Sequence, residues 1–213
     1  MEMILNEEEI RVLGSLIEKS LSTPEYYPLS LNALTNACNQ KSNREPVVSY
    51  DEDTVTLACD GLEKKGLSRK SSVGRVVKYE ERFTRERDLV ARESSVLCVL
   101  LLRGPQTAGE IRGRTARMHA FESLDDLQKT LANLEEWGYV RRMERLPGHK
   151  ESRFRHLLSG EPEMTDTNAP PAAPADHNET GTRLDQMAQD IEALRNEMEV
   201  LKEAFSVFKK QFE

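Results

Sequence analysis

DEDTVTLACDGLEKKGLSRK occupies residues 51–70 and SLDDLQKTLANLEEWGYVRR occupies residues 123–142, and the two segments carry one pattern. Asp51 opens the first as a helix cap, Val55, Ala58, Cys59 and Leu62 make an inward stripe, and Gly66 supplies the left-handed residue that stops the helix. Ser123 opens the second, with Leu127, Leu131 and Leu134 inward and Gly138 as the stop. Equivalent positions lie 72 residues apart, Asp51 to Ser123 and Gly66 to Gly138 alike. Each glycine leads into a basic extended segment, beginning Arg69-Lys70 and Arg141-Arg142. A capped helix followed by a basic hairpin is the second half of a winged helix, so the spacing predicts two of them in tandem.

Asn6 and Glu9 form a capping-box pattern ahead of a stripe of Ile10, Leu13, Leu16 and Ile17, ending near Ser20 to Thr23 before Pro24. Tyr26 to Leu29 reads as short and extended, and Ser30 caps a helix carrying Leu31, Leu34 and Cys38. Residues 39–49 read as polar loop. Leu67 to Ser72 and Val76 to Phe83 form the first wing, with Gly74 at its tip. Asp88 to Arg103 reads as one long helix joining the repeats, stopped by Gly104 and Pro105. Thr107 caps a short helix containing Ile111. Tyr139 to Met143 and Ser152 to Leu157 form the second wing, around Pro147, Gly148 and His149. Ser30 and Thr107 each follow a proline by two residues, Pro28 and Pro105, which reinforces the repeat.

Residues 159–181 shift to Pro, Ala, Asp, Asn and Thr, a linker composition. Leu184, Ile191, Met198, Phe205 and Phe212 then recur every seven residues, with Met187, Leu194, Leu201 and Phe208 between them, an a/d heptad pattern about 40 Å long as a helix. Asp190 and Glu197 fall at g, and Arg195, Lys202 and Lys209 at e. Opposite charges therefore face each other in a parallel pair and like charges in an antiparallel one, which favours a parallel homodimer. The alternative is that this helix folds back on the body. The fold class is mainly α with small β wings (α+β): winged-helix domains over 1–87 and 88–158, a linker over 159–181 and a coiled-coil helix over 182–213.

The 213 residues carry a formal charge of −7, but residues 1–160 hold 25 basic and 25 acidic side chains, whereas residues 161–213 hold 5 and 12. The body is neutral and free to carry basic patches. The longest apolar run, Leu97 to Leu102, is far short of the ~18 residues of a membrane span, and the acidic start at Glu2, Glu7, Glu8 and Glu9 has the wrong sign for a secretory signal. A cytoplasmic protein is expected. Cys38, Cys59 and Cys98 are odd in number, widely spaced and set among apolar positions, the pattern of reduced, buried thiols.

His119, His149, His156 and His177 are scattered without metal-ligand spacing, and no phosphate loop, nucleophile elbow or dinucleotide motif is present. No catalytic residue, metal or cofactor is expected. The candidate function is binding. Wing residues Arg69, Lys70, Arg75, Lys78, Arg141, Arg142, Arg145, Lys150 and Arg153 are suited to phosphate contacts with double-stranded DNA, and Arg112, Arg114 and Arg117 form a third basic cluster. Ordinary solvated strand faces would look the same. The third helices begin with Asp51, Glu52 and Asp53, and with Asp125 and Asp126, which complement a helix dipole but repel phosphates, so the usual groove-reading mode is disfavoured. Asn36, Asn39, Gln40, Lys41, Asn43 and Arg44 form an amide-rich candidate recognition loop that would serve equally to brace a turn. An adaptor that grips another protein is the competing function.

The phrases from Tyr26 to Leu34, NACNQKSNR at 36–44, RGPQTAGE at 103–110 and RMHAF at 117–121 resemble those of the YceH-like bacterial proteins, across roughly residues 4–158. The resemblance implies two tandem winged helices in a bacterial cytoplasm, and it brings no activity, substrate or site with it.

Overall fold

A computed structural model describes residues 4–71, 76–145 and 151–160. The Asn6 side chain accepts from the Glu9 amide at 2.8 Å while Glu9 Oε2 accepts from the Asn6 amide at 3.0 Å, and this reciprocal cap starts α1 (Glu7–Ser22). A 3-10 turn covers Pro24–Tyr26, where proline favours a first helical position, so Tyr26 ends a turn and does not begin the extended segment read from Tyr26 to Leu29. Strand β1 (Leu29–Ser30) runs into α2 (Leu31–Cys38), capped by Ser30, and α3 (Glu52–Lys64) is capped by Asp51. Gly66 at φ +72° turns the chain into β2 (Ser68–Ser71), which pairs antiparallel with β3 (Lys78–Glu81). Because β3 also pairs with β1, the sheet order is β1-β3-β2.

The second repeat follows the same order. After a short α4 (Phe83–Glu86) come α5 (Ala91–Arg103), β4 (Gln106–Thr107), α6 (Ala108–Thr115), α7 (Leu124–Glu136), β5 (Val140–Arg142) and β6 (Arg153–His156), and the sheet order is β4-β6-β5. Thr107 and Ser123 cap α6 and α7, and Gly138 at φ +76° repeats the role of Gly66. One side-chain bond is duplicated at the same offset of the repeat. Glu63 accepts from the Lys70 amide at 3.2 Å, and Glu135 accepts from the Arg142 amide at 2.9 Å.

The helix expected from Asp88 starts later. Asp88 sits at φ +52°, and α5 begins only at Ala91, where the Glu93 carboxylate accepts from the Val90 amide at 3.1 Å and serves the exposed helix end. The repeats share one apolar core in which α1 packs on α5. Gly14 permits the close approach: a Cβ there would lie 2.9 Å from Leu102 Cδ2 and 3.1 Å from Leu101 Cβ. The Cys98 thiol donates to the Gly14 carbonyl at 3.6 Å across this seam. Further contacts join the repeats, among them the Leu5 amide on the Leu158 carbonyl at 2.7 Å, the Glu45 amide on the Leu102 carbonyl at 2.9 Å and the Phe83 and Tyr139 rings edge-to-face at 5.6 Å. All three cysteines are buried free thiols, and burial pushes Cys59 up to about 12, which suits packing and not nucleophilic chemistry. Among the described residues no helix is long and apolar enough to cross a membrane. Apart from Ser159 and Gly160, the linker assignment lies outside the described residues, as do the heptads with Leu184, Met187, Ile191, Leu194, Met198, Leu201, Phe205 and Phe208.

Candidate nucleic-acid interface

Each wing opens on a basic pair held in the same frame by the duplicated glutamate bond. In the first wing, Arg69 Nε meets Glu80 Oε1 at 3.0 Å, its cross-strand neighbour, and Lys70 pairs with Asp60 of α3 while its ammonium lies 5.9 Å from the centre of the Tyr79 ring. The Asp60 hydrogen bond raises the Lys70 ammonium above its ordinary range, so it stays charged. Both pairs are partly solvated, and such pairs contribute only ~0–1 kcal/mol. A phosphate can therefore replace the carboxylate at little cost. Lys78 is exposed at the start of β3 and makes no ion pair among the described residues.

In the second wing, Arg141 and Arg142 are exposed on β5, with Arg141 opposite Arg155 in the ladder. Arg142 and Arg145 line a groove of about 630 Å³ between α7 and the wing. Arg153 is partly exposed and donates to the Pro105 carbonyl at 2.8 Å with the Glu110 carboxylate 3.8 Å away, so it fastens β6 to the start of α6. Arg75 and Lys150 lie outside the described residues.

The third helices keep their acidic ends. Asp51 Oδ1 accepts from the Thr54 amide at 2.8 Å, and hydrogen bonding by the Thr54 side chain, and then by its amide, lowers the Asp51 carboxyl below the ordinary range and fixes it as a charged cap. Glu52, Asp53 and Asp125 are exposed beside these ends. Phosphates would be repelled there.

The amide-rich loop divides into internal braces and groups that face outward or into a cleft. Arg44, expected as a recognition residue, is instead wholly buried, with its guanidinium forked onto Glu18 and also donating to the Ala37 and Asn43 carbonyls. Asn39 is half-buried. Its side chain accepts from the Tyr50 amide at 2.8 Å and donates to the Tyr50 carbonyl at 2.7 Å, closing the loop on itself. Asn36 is exposed on α2 and donates to Asn32 at 3.1 Å. Gln40, Lys41 and Asn43 instead line a cleft of about 640 Å³ between the repeats. Lys19, Arg103, Arg114 and Arg117 line the same cleft. Lys19 and Arg103 were missed from the sequence because each sits in the last turn of a helix, where a cation needs no explanation beyond the dipole.

Residues 5–149 match the family described as a protein of unknown function, DUF480. The chain belongs to the DUF480 family. Relatives of this DUF480 chain include a UPF0502 protein of Solibacter usitatus, 49% identical over 214 residues and covering all of both chains. Another, from Opitutus terrae, is 52% identical over 198 residues, covering 90% of this chain and 84% of its own. A third, from Pelobacter propionicus, is 46% identical over 222 residues and again covers both chains entirely. The DUF480 match takes in both third helices and the cleft between the repeats, whereas the full-length relatives extend the likeness through the heptads.

Proposed function

We propose that this DUF480 protein is a non-enzymatic, cytoplasmic, DNA-associated regulator whose two wings touch the duplex backbone, acting as a parallel homodimer through its C-terminal heptads. The observation that carries this reading is the matched presentation of Arg69-Lys70 and Arg141-Arg142, each set by a glutamate-to-amide bond at the same repeat position. Two equivalent basic edges on one unit suit a repeating polyanion better than a single compact ligand. The acidic ends of α3 and α7 turn the reading helices away from phosphates, so contact is backbone-directed and weakly selective for sequence. A mobility-shift assay of the full chain on mixed duplex DNA at low salt tests this. Retardation by wild type, lost when Arg69, Lys70, Arg141 and Arg142 are all changed to Ala, supports the reading; no retardation by wild type contradicts it.

A protein-adaptor reading draws on different residues. Leu57 is 72% exposed on α3 and Trp137 is 50% exposed at the end of α7, both large apolar groups near exposed carboxylates. These faces suit a partner protein and not a phosphate backbone. Adaptor binding would be lost on changing Leu57 and Trp137 to Ser and would ignore the wing substitutions.

A further inference from the structure

The cleft between the repeats is assembled from the end of α1, the loop at 40–43, the end of α5 and the segment from α6 to Met118. Among the described residues five cationic side chains line it, Lys19, Lys41, Arg103, Arg114 and Arg117, against a single carboxylate, Glu18. That carboxylate is already engaged. Arg44 occupies both its oxygens at 3.1 and 2.7 Å, and Lys19 lies 3.2 Å from Oε2. Arg103 has one neutral acceptor, Asn43 Oδ1 at 2.6 Å. Arg114 reaches Glu110 only at 3.8 Å and keeps a buried Nη1 with no hydrogen-bond partner. Lys41 and Arg117 are exposed and form no ion pair among the described residues. Burial, and then the charge of Arg114, depresses the Arg103 guanidinium below its ordinary range.

The floor is different. Cys98, Val99, Leu102 and Met118 give it apolar walls. A volume of about 640 Å³ lies in the range of small-molecule sites, ~300–1,000 Å³.

We propose that this cleft binds a small phosphorylated organic anion, its phosphate groups held by Lys41, Arg103, Arg114 and Arg117 and its apolar part resting on Val99, Leu102 and Met118. The excess of cations is the energetic motive: a multiply charged phosphate satisfies unpaired donors and offsets the repulsion among the cations. Guanidinium forks match phosphate oxygens in pairs, and both repeats contribute to the lining, so a bound anion bridges the repeats. The inference does not depend on DNA binding by the wings.

Calorimetric titration of the full chain with inorganic pyrophosphate at low salt provides the test, beside two variants. Lys41→Gln with Arg117→Gln removes two exposed cations that the fold does not use, and an unchanged melting temperature without ligand confirms that the variant is folded. The Arg69, Lys70, Arg141 and Arg142 to Ala variant controls for general charge. Sub-millimolar binding by wild type, weakened about tenfold or more in the cleft variant and unchanged in the wing variant, is expected. Absence of binding, equal binding in the cleft variant, or equal loss in the wing variant overturns the site. A short duplex DNA in the same assay separates the two sources of phosphate. If the cleft variant loses duplex binding while pyrophosphate does not bind wild type, the cleft holds a nucleic-acid backbone and the small-anion proposal fails.

Discussion

Glu18 on α1 receives both prongs of the Arg44 guanidinium, Nη1 at 3.1 Å and Nη2 at 2.7 Å, and this pair fastens the loop after α2 to the first helix. Burial pushes the Glu18 carboxyl up, but the hydrogen bonds and charge of Arg44, with Lys19, bring it below the ordinary range. Arg44 also takes the Ala37 carbonyl near the end of α2, so three parts of the first repeat meet at one side chain. Breaking a buried pair strands its partner, which costs ~3–5 kcal/mol. Arg44→Ala is expected to lower unfolding stability by about 3 kcal/mol in urea titrations. The Glu18→Ala, Arg44→Ala double variant should lose less than the sum of the two single losses, because the pair fails as a unit. Additive losses would mean the contact carries no coupling.

Gly14 sets how closely α1 and α5 approach. A side chain at this position meets Leu102 and Leu101 on the facing helix, both buried with little room to move. Gly14→Val is expected to destabilise the protein by about 1–3 kcal/mol or more, through overpacking at the seam between the repeats. The better helix propensity of Ala makes Gly14→Ala milder than Gly14→Val. Thermal melts of the two variants check the order.

His156 gives the stability a pH dependence. Burial, with the Arg155 charge beside it, lowers its imidazole from 6.5 to about 4, and its Nδ1 is buried with no hydrogen-bond partner. The unfolded chain therefore binds this proton at a higher pH than the folded one. The stabilising contribution is complete above pH ~6.5 and is lost as pH falls toward ~4, to a total of up to about 3 kcal/mol. His156→Phe should flatten the decline in melting temperature across that window; an unchanged slope would show that His156 is not the group responsible.

Local rules made most of the fold legible. Asn6, Ser30, Asp51, Thr107 and Ser123 all act as caps through the side-chain bonds their positions suggest, and Gly66 and Gly138 adopt the left-handed turn that ends their helices. The start of α5 was not legible, since Val90 is no customary cap and the exposed end is served by Glu93 from three residues on. Arg44 misled for a related reason: in a polar run it looks solvent-facing, and only the folded chain brings Glu18, 26 residues away in sequence, against it. The basic cleft was half legible. Arg114 and Arg117 stood out as a cluster, but Lys19 and Arg103 join them only because α1 and α5 pack side by side.

The heptads make a separate claim. Deleting residues 182–213 is expected to convert a dimer to a monomer by light scattering, with the melting temperature of the body unchanged, because the shared core lies within residues 5–158. A full chain and a truncated chain that scatter with the same subunit number would remove the dimer assignment.

The salt dependence of duplex binding by the full chain, followed by fluorescence anisotropy, bears most directly on the wings. Each phosphate contact contributes ~0.9 to the slope of log K against log salt, so changing Arg69, Lys70, Arg141 and Arg142 to Ala should lower that slope by about 3 to 4. A wild-type chain with no measurable affinity at low salt, or a variant with an unaltered slope, would contradict contact through these hairpins.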